Sequence, residues 1–286
     1  MKLGNRYKKI NEFFNTEYKW WENVYNEELT RGFLSFEMIR RKEILLEMLN
    51  DMIGEKAPVA ILECGCGPGG ILGEISPTNN FLAGVDINFN YLLMARKEYD
   101  SALNFLQSDI ERLPFKNDSF DIVYCVGVLS YLEDDRNAMR EMCRVLKADG
   151  KVIISVPGLF MLNKFIDPYY YLVWLIQTIW KKMRNCFFKN SVSDNKFEIG
   201  MIRRYTQGQL DRLYREFDLE KKQTICVSYG PPTLWRKEVL PLPYAIRTSE
   251  ALVRLSYRRG FGFLTRLANH WVTSLEKTIG KNARDK

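Results

Sequence analysis

Val59-Ala60-Ile61-Leu62-Glu63-Cys64-Gly65-Cys66-Gly67-Pro68-Gly69-Gly70 is the stretch on which the fold turns. Its first four residues are an uninterrupted apolar run, the pattern of a short strand buried on both faces of a parallel sheet. The glycines that follow let the backbone turn sharply, take positive φ and pass close to a ligand. Ile71 to Ile75 reads as the start of a helix, whose N-terminus presents free N–H groups toward that ligand. Gly65, Gly67 and Gly70 fit the G-x-G-x-x-G spacing of dinucleotide loops, a pattern too common to name a cofactor by itself.

Outward from this loop, strand and helix patterns alternate. Phe81 to Ile87, Leu103 to Leu106, Phe120 to Leu129 and Lys151 to Val156 read as strands, and Tyr91 to Tyr99 and Asp134 to Leu146 as helices. After a change of pattern, Thr206 to Phe217 reads as a helix opened by a capping box of Thr206 and Gln209. Leu219 to Tyr229 and Asn269 to Lys277 complete the strands. Such alternation predicts an α/β fold with a doubly wound, seven-stranded, mostly parallel, Rossmann-like sheet. Helical insertions are expected to form a cap. Four segments follow: an N-terminal helical cap (1–56), a cofactor-binding core (57–158), an aromatic-rich helical insertion (159–200), and a C-terminal part of the core carrying a second helical insertion near 234–266 (201–286). Within the first, Trp20, Trp21, Val24 and Tyr25 recur at helical spacing, and Phe36 to Met52 forms a second helix stopped by Gly54.

Three acids narrow the ligand. Asp86 closes the second strand, 16 residues past Gly70, where a carboxylate can accept from both ribose hydroxyls of an adenosine cofactor. Glu63 stands directly before the first glycine and would repel a pyrophosphate, whereas a cofactor bearing an ammonium and a sulfonium meets no such conflict. Asp109 lies just past strand three, in reach of an adenine amino group.

These stretches together resemble the class I S-adenosylmethionine-dependent methyltransferases, in particular the small-molecule branch related to the ubiquinone and menaquinone methyltransferases. Glu63 to Gly69 looks like that family's first motif, Gly84-Val85-Asp86 its second, and Asp109 with Leu113-Pro114-Phe115 its third. Arg144 to Lys151 is similar to its segment leading into strand five. The resemblance is close over about residues 55–158 and looser through Val227. It implies S-adenosylmethionine as cofactor, with Glu63, Gly65 and Gly67 on the methionine portion, Asp86 on the ribose, Asp109 with Ile110 on the adenine, and Val126 and Gly127 lining the methyl-transfer side. Cys66 and Ile87 are counted with this set. Many relatives carry histidines just after strand four; here the segment reads Leu129-Ser130-Tyr131-Leu132-Glu133-Asp134. Tyr131, Glu133 and Asp134 are the nearby groups able to take a proton, and they read better as helix-start residues.

Composition bounds the rest. The chain has 286 residues, a net charge of +7, one histidine (His270) and six cysteines without a Cys-x-x-Cys pair, so no metal site is expected. The start at Met1 lacks the pattern of a cleaved signal peptide, and reduced thiols suit a cytoplasmic setting. The apolar run from Tyr169 to Trp180 is shorter than the roughly 20 residues of a spanning helix. The positive balance points to an acidic partner, and the Asn/Asp-Pro-Pro-aromatic tetrad of base-modifying enzymes is absent, so nucleic acid is not expected. Aromatics crowd 159–188, over the carboxyl ends of the strands where substrate enters. An apolar, amphiphilic or lipid-linked acceptor is therefore expected, with peripheral membrane contact through 165–188 and its basic edge Lys181, Lys182 and Arg184. The competing reading is a membrane-peripheral protein that binds the cofactor without catalysis.

Overall fold

The computed structural model describes residues 12, 32–54, 58–77, 79–99, 103–132, 134–187 and 203–278. The aromatic helix expected around Trp20, Trp21, Val24 and Tyr25 lies outside the described residues, as do Glu133 and 188–200.

A seven-stranded sheet runs in the order β3-β2-β1-β4-β5-β9-β6. The strands are β1 (Ala60–Cys64), β2 (Phe81–Asp86), β3 (Asn104–Gln107), β4 (Phe120–Val126), β5 (Leu146–Pro157), β6 (Leu219–Ser228) and β9 (His270–Lys277). β1 pairs in parallel with β2 and β4, and β9 runs antiparallel between β5 and β6. Because β9 is reversed, its first residue, His270, lies beside the last residues of its neighbours, opposite Pro157 and Ser228.

Strand alternation divides the core. Ile61, Tyr124, Ile153 and Val272 face one side and pack under Ile44, Leu45, Met48 and Leu49 of α1 (Phe33–Ile53). Leu62, Val123, Cys125 and Ile154 face the other, against Met139 and Met142 of α3 (Asp135–Val145) and Leu213 and Tyr214 of α6 (Gln207–Glu216). The β2-to-β3 connection is α2 (Phe89–Tyr99). Gly54 ends α1 at φ +48, and the Thr206–Gln209 capping box opens α6.

Some elements differ from the sequence reading. The helix expected from Ile71 is a single 3-10 turn, Leu72–Glu74. Three glycines within five residues (Gly69, Gly70, Gly73) each cost about 1 kcal/mol in a helix, and Pro77 closes the segment. The Gly73 position is also filled by the Tyr99 ring, 2.1 Å from where a Cβ would stand. β4 stops at Val126 because Gly127 turns the chain at φ +74. β5 begins at Leu146 instead of Lys151, pairing with Phe120 across a bulge. The second insertion is partly a hairpin, β7 (Thr233–Leu234) and β8 (Lys237–Glu238), before α7 (Leu242–Ser256).

The first insertion holds α4 (Leu162–Ile166) and α5 (Pro168–Phe187). Buried Asp167, at their junction, accepts from the backbone N–H groups of Trp235 and Arg236, each at 2.8 Å, and so joins the first insertion to the hairpin of the second.

Candidate functional site

Two neighbourhoods meet at the carboxyl ends of the strands. The first is the glycine loop. The backbone N–H groups of Gly65 and Cys66 donate to the Val85 carbonyl at 2.7 and 3.0 Å, folding the loop back over β2. Gly65, Gly67 and Gly69 take φ of +79, +52 and +83. At Gly65 a Cβ would stand 2.2 Å from Val128 Cγ2, so only glycine fits between β1 and the turn after β4. Over Gly67 and Gly70 no atom comes within 4 Å of a Cβ position, which leaves open space above the loop. The Cys66 side chain is packed in the core against Gly84, so only its backbone belongs to the loop surface.

Two carboxylates border this space. Glu63 is buried on β1 between Gly84 and Tyr124, and its Oε2 accepts from the Tyr124 hydroxyl at 3.0 Å. Burial pushes its pKa up to about 8; bonds from Tyr124 and the Leu72 backbone oppose the rise, and the charge of Asp86 adds to it. Asp86 ends β2, and its carboxylate accepts from the backbone N–H groups of Gly67 and Asn88, both at 2.8 Å. Burial raises its pKa too, against those backbone bonds. Ile87 follows it, half-buried. Asp109 is half-buried just past β3 and caps its own turn by accepting from the Glu111 N–H at 2.9 Å, with Ile110 buried beside it. Val126 and Gly127, both half-buried, lie across the loop at the end of β4. Ten residues named from sequence alone thus surround the carboxyl ends of β1 to β4.

The second neighbourhood was not legible as a site. α1 brings Glu37 and Arg41, 5% and 4% exposed, over the strand ends. Arg41 Nη1 stands 3.3 Å from the Cβ position of Gly127. Glu37 Oε1 lies 3.2 Å from His270 Nδ1 and also accepts from the Ser228 hydroxyl. Burial raises the Glu37 pKa, but His270, Ser228 and Arg41 outweigh it, so the carboxyl is held below its ordinary value. Arg204 completes the group, next to Tyr205, whose N–H donates to the Pro157 carbonyl at 3.0 Å. Of the proton acceptors named from sequence, Asp134 caps α3 by accepting from the Arg136 N–H. Among the described residues, no group of three or more His, Cys, Asp and Glu is placed to hold a metal ion.

The methyltransferase-domain family (Methyltransf_11) matches residues 62–154, from the second half of β1 through most of β5. That stretch, about a third of the chain, is similar to a methyltransferase domain. Among curated proteins, the cycloartenol-C-24-methyltransferase of Arabidopsis thaliana is 31% identical over 138 residues, which is 46% of this chain and 40% of that protein. The ubiquinone biosynthesis O-methyltransferase of Rickettsia canadensis is 26% identical over 151 residues, 52% of this chain and 62% of that protein. The chain spans about two fifths of the length of the first such relatives. Among solved structures, magnesium protoporphyrin IX methyltransferase from Synechocystis, with bound SAH, superposes with TM-score 0.59 at 13% identity, over 95% of this chain and 99% of that one. The [4+2]-cyclase SpnF superposes equally well, TM-score 0.59 at 15% identity, over 96% of this chain and 97% of that one. The fold thus reaches beyond methyl transfer, and the reaction of this chain has to be read from its site.

Proposed function

We propose that this chain transfers a methyl group from S-adenosylmethionine to a small amphiphilic acceptor by in-line displacement. The observation that carries the reading is the buried carboxylate of Glu63 at the head of an open glycine loop. Burial keeps this acid largely protonated near neutral pH, and a cationic ligand beside it would draw it into its carboxylate form, which a pyrophosphate would not do. Glu63, Gly65, Cys66 and Gly67 would hold the methionine end, Asp86 and Ile87 the ribose, Asp109 and Ile110 the adenine, with Val126 and Gly127 beside the reacting methyl. When bound, S-adenosylmethionine supplies an activated methyl group on a sulfonium. The chain's own contribution is then alignment and exclusion of water. Titration calorimetry checks the cofactor: S-adenosylhomocysteine is expected to bind one to one and NAD not at all. NAD binding without S-adenosylhomocysteine binding would sink the reading.

The acceptor class rests on α5. Trp174 and Trp180 are 65% and 69% exposed, and Tyr171, Leu172, Leu175, Ile176 and Ile179 are exposed around them. Among the described residues no helix is long and apolar enough to cross a membrane. Exposed Trp and Tyr on a helix that ends in the basic run Lys181, Lys182 and Arg184 suit the head-group layer of an anionic bilayer, from which an amphiphilic acceptor would enter. The relatives' names include sterol and ubiquinone-biosynthesis methyltransferases, in keeping with such acceptors. Co-sedimentation with phosphatidylcholine vesicles containing phosphatidylserine is expected to capture the chain, and a Trp174→Ser, Trp180→Ser variant to be captured at least about tenfold less, as each Trp buries about 2 kcal/mol of apolar surface. Equal capture of the two proteins would remove α5 from the membrane.

A further inference from the structure

We propose that Arg204 and Lys164 form an anion-binding subsite that takes the carboxylate or phosphate head of the methyl acceptor. The proposal rests on the methyltransferase reading and names its substrate class. Arg204 stands at the carboxyl end of β5, fixed there by Tyr205, which exchanges backbone bonds with Pro157 and Leu159. Its hydrogen bond goes from Nη1 to the thioether of Met161 at 3.0 Å, a weak acceptor. Lys164, on α4, lies with its ammonium 5.5 Å from the centre of the Tyr170 ring. Among the described residues neither cation forms an ion pair with a carboxylate.

Both half-buried cations are joined to Met161, Arg204 through its thioether and Lys164 through a backbone N–H donated to the Met161 carbonyl at 3.0 Å, and a pair held there without a carboxylate is costly unless an anion joins it. Burial lowers the pKa of both, and the guanidinium lowers that of Lys164 further. The acid that eases Arg204 is Glu37, which is already engaged by His270, Ser228 and Arg41. A guanidinium fork with an ammonium beside it matches the oxygens of a carboxylate or phosphate. Leu159, Phe160 and Ile166 are exposed next to this pair and lead toward the apolar surface of α5, where an alkyl chain would lie. Through Glu37 and Arg41 the same group reaches Gly127, so a head held at Arg204 leaves the acceptor's reacting atom near the end of β4.

Calorimetry on the full chain saturated with S-adenosylhomocysteine tests this with octanoate, octyl phosphate and octanol, all below micellar concentration. One or both anions are expected to bind at least about tenfold tighter than octanol, and whichever binds tighter identifies the head. Arg204→Met and Lys164→Met should each weaken that anion about ten- to a hundredfold, the loss expected for a bond to a charged group, while octanol and S-adenosylhomocysteine bind as before. Octanol binding as tightly as both anions, or unchanged anion affinity in Lys164→Met, overturns the subsite; Lys164 lies on a partly exposed helix, so that variant tests it even if Arg204→Met fails to fold. If S-adenosylhomocysteine does not bind the wild-type chain, the cofactor reading fails separately, and the anion titration is read on the ligand-free protein.

Discussion

Gly65→Ala is expected to abolish measurable binding of S-adenosylhomocysteine while the chain still folds. Two costs coincide at this position. The backbone sits at φ +79, where an L side chain costs about 1–2 kcal/mol. The new Cβ would also stand 2.2 Å from Val128 Cγ2 and 3.2 Å from its Cβ. Neither side yields freely, because Val128 opens the 3-10 turn Leu129–Tyr131 and the Gly65 N–H is tied to Val85. The clash is therefore relieved by lifting the loop off β2. That movement displaces Gly67 from Asp86 and closes the space above it. Affinity should fall at least about a hundredfold, with a drop in Tm of about 5–10 °C for a total cost near 2–3 kcal/mol. Val128→Ala on the Gly65→Ala background should recover part of the loss by removing the clash but not the φ cost. Unaltered affinity in Gly65→Ala would show that the loop geometry is not what holds the cofactor.

The proposed cofactor side of the site is the part that sequence reaches, because its geometry is backbone geometry. Glycines at 65, 67 and 69 are needed wherever φ is positive, and strand-terminal acids follow from where strands end. Residues from the carboxyl ends of four adjacent strands, β3, β2, β1 and β4, meet there by topology, whichever partners their side chains choose. The proposed acceptor side, around Glu37, Arg41 and His270, is not legible in the sequence, because it depends on burial that periodicity does not report. Glu37 and Arg41, four apart on a helix, look like a solvated surface pair. Yet the stripe of Met48, Leu45 and Ile44, extended backward at helical spacing, lands on Arg41 and Glu37, and that was the available signal. His270 gave no signal as a lone histidine. It enters the site because β9 runs backward between β5 and β6, which puts a strand's first residue at the carboxyl edge. The β7–β8 hairpin escaped for a different reason. Its turn residues Trp235 and Arg236 adopt φ of +53 and +64 without the Asn-Gly or Asp-Gly that usually signals such a turn. Asp167, remote in sequence, compensates by binding both turn amides.

Glu63→Gln should move stability and cofactor affinity in opposite directions. In the folded chain the Glu63 pKa is raised from 4.5 to about 8, chiefly by burial. Between those values the folded state binds more protons than the unfolded state. Stability of the cofactor-free protein is therefore greatest below pH 4.5 as far as this group is concerned, and is lost as pH rises through about 8, by up to about 5 kcal/mol in all. Glutamine keeps the shape and still accepts the Tyr124 hydroxyl bond, but has nothing to ionise. The variant should thus melt higher than wild type at pH 8 and show no contribution from this position across pH 5 to 8. A cationic ligand reverses the balance by stabilising the carboxylate, so wild type must give up close to one proton on binding at pH 6.5. Calorimetric enthalpies in phosphate and in Tris will differ by that proton times the difference in buffer ionisation enthalpy, and the difference should vanish in Glu63→Gln. Affinity for S-adenosylmethionine in the variant should fall about ten- to a hundredfold, the usual loss when a buried charge pair becomes a charge and a dipole. Equal affinities, with no buffer-dependent enthalpy in wild type, would mean that Glu63 stays protonated and serves only to pack β1 against Tyr124.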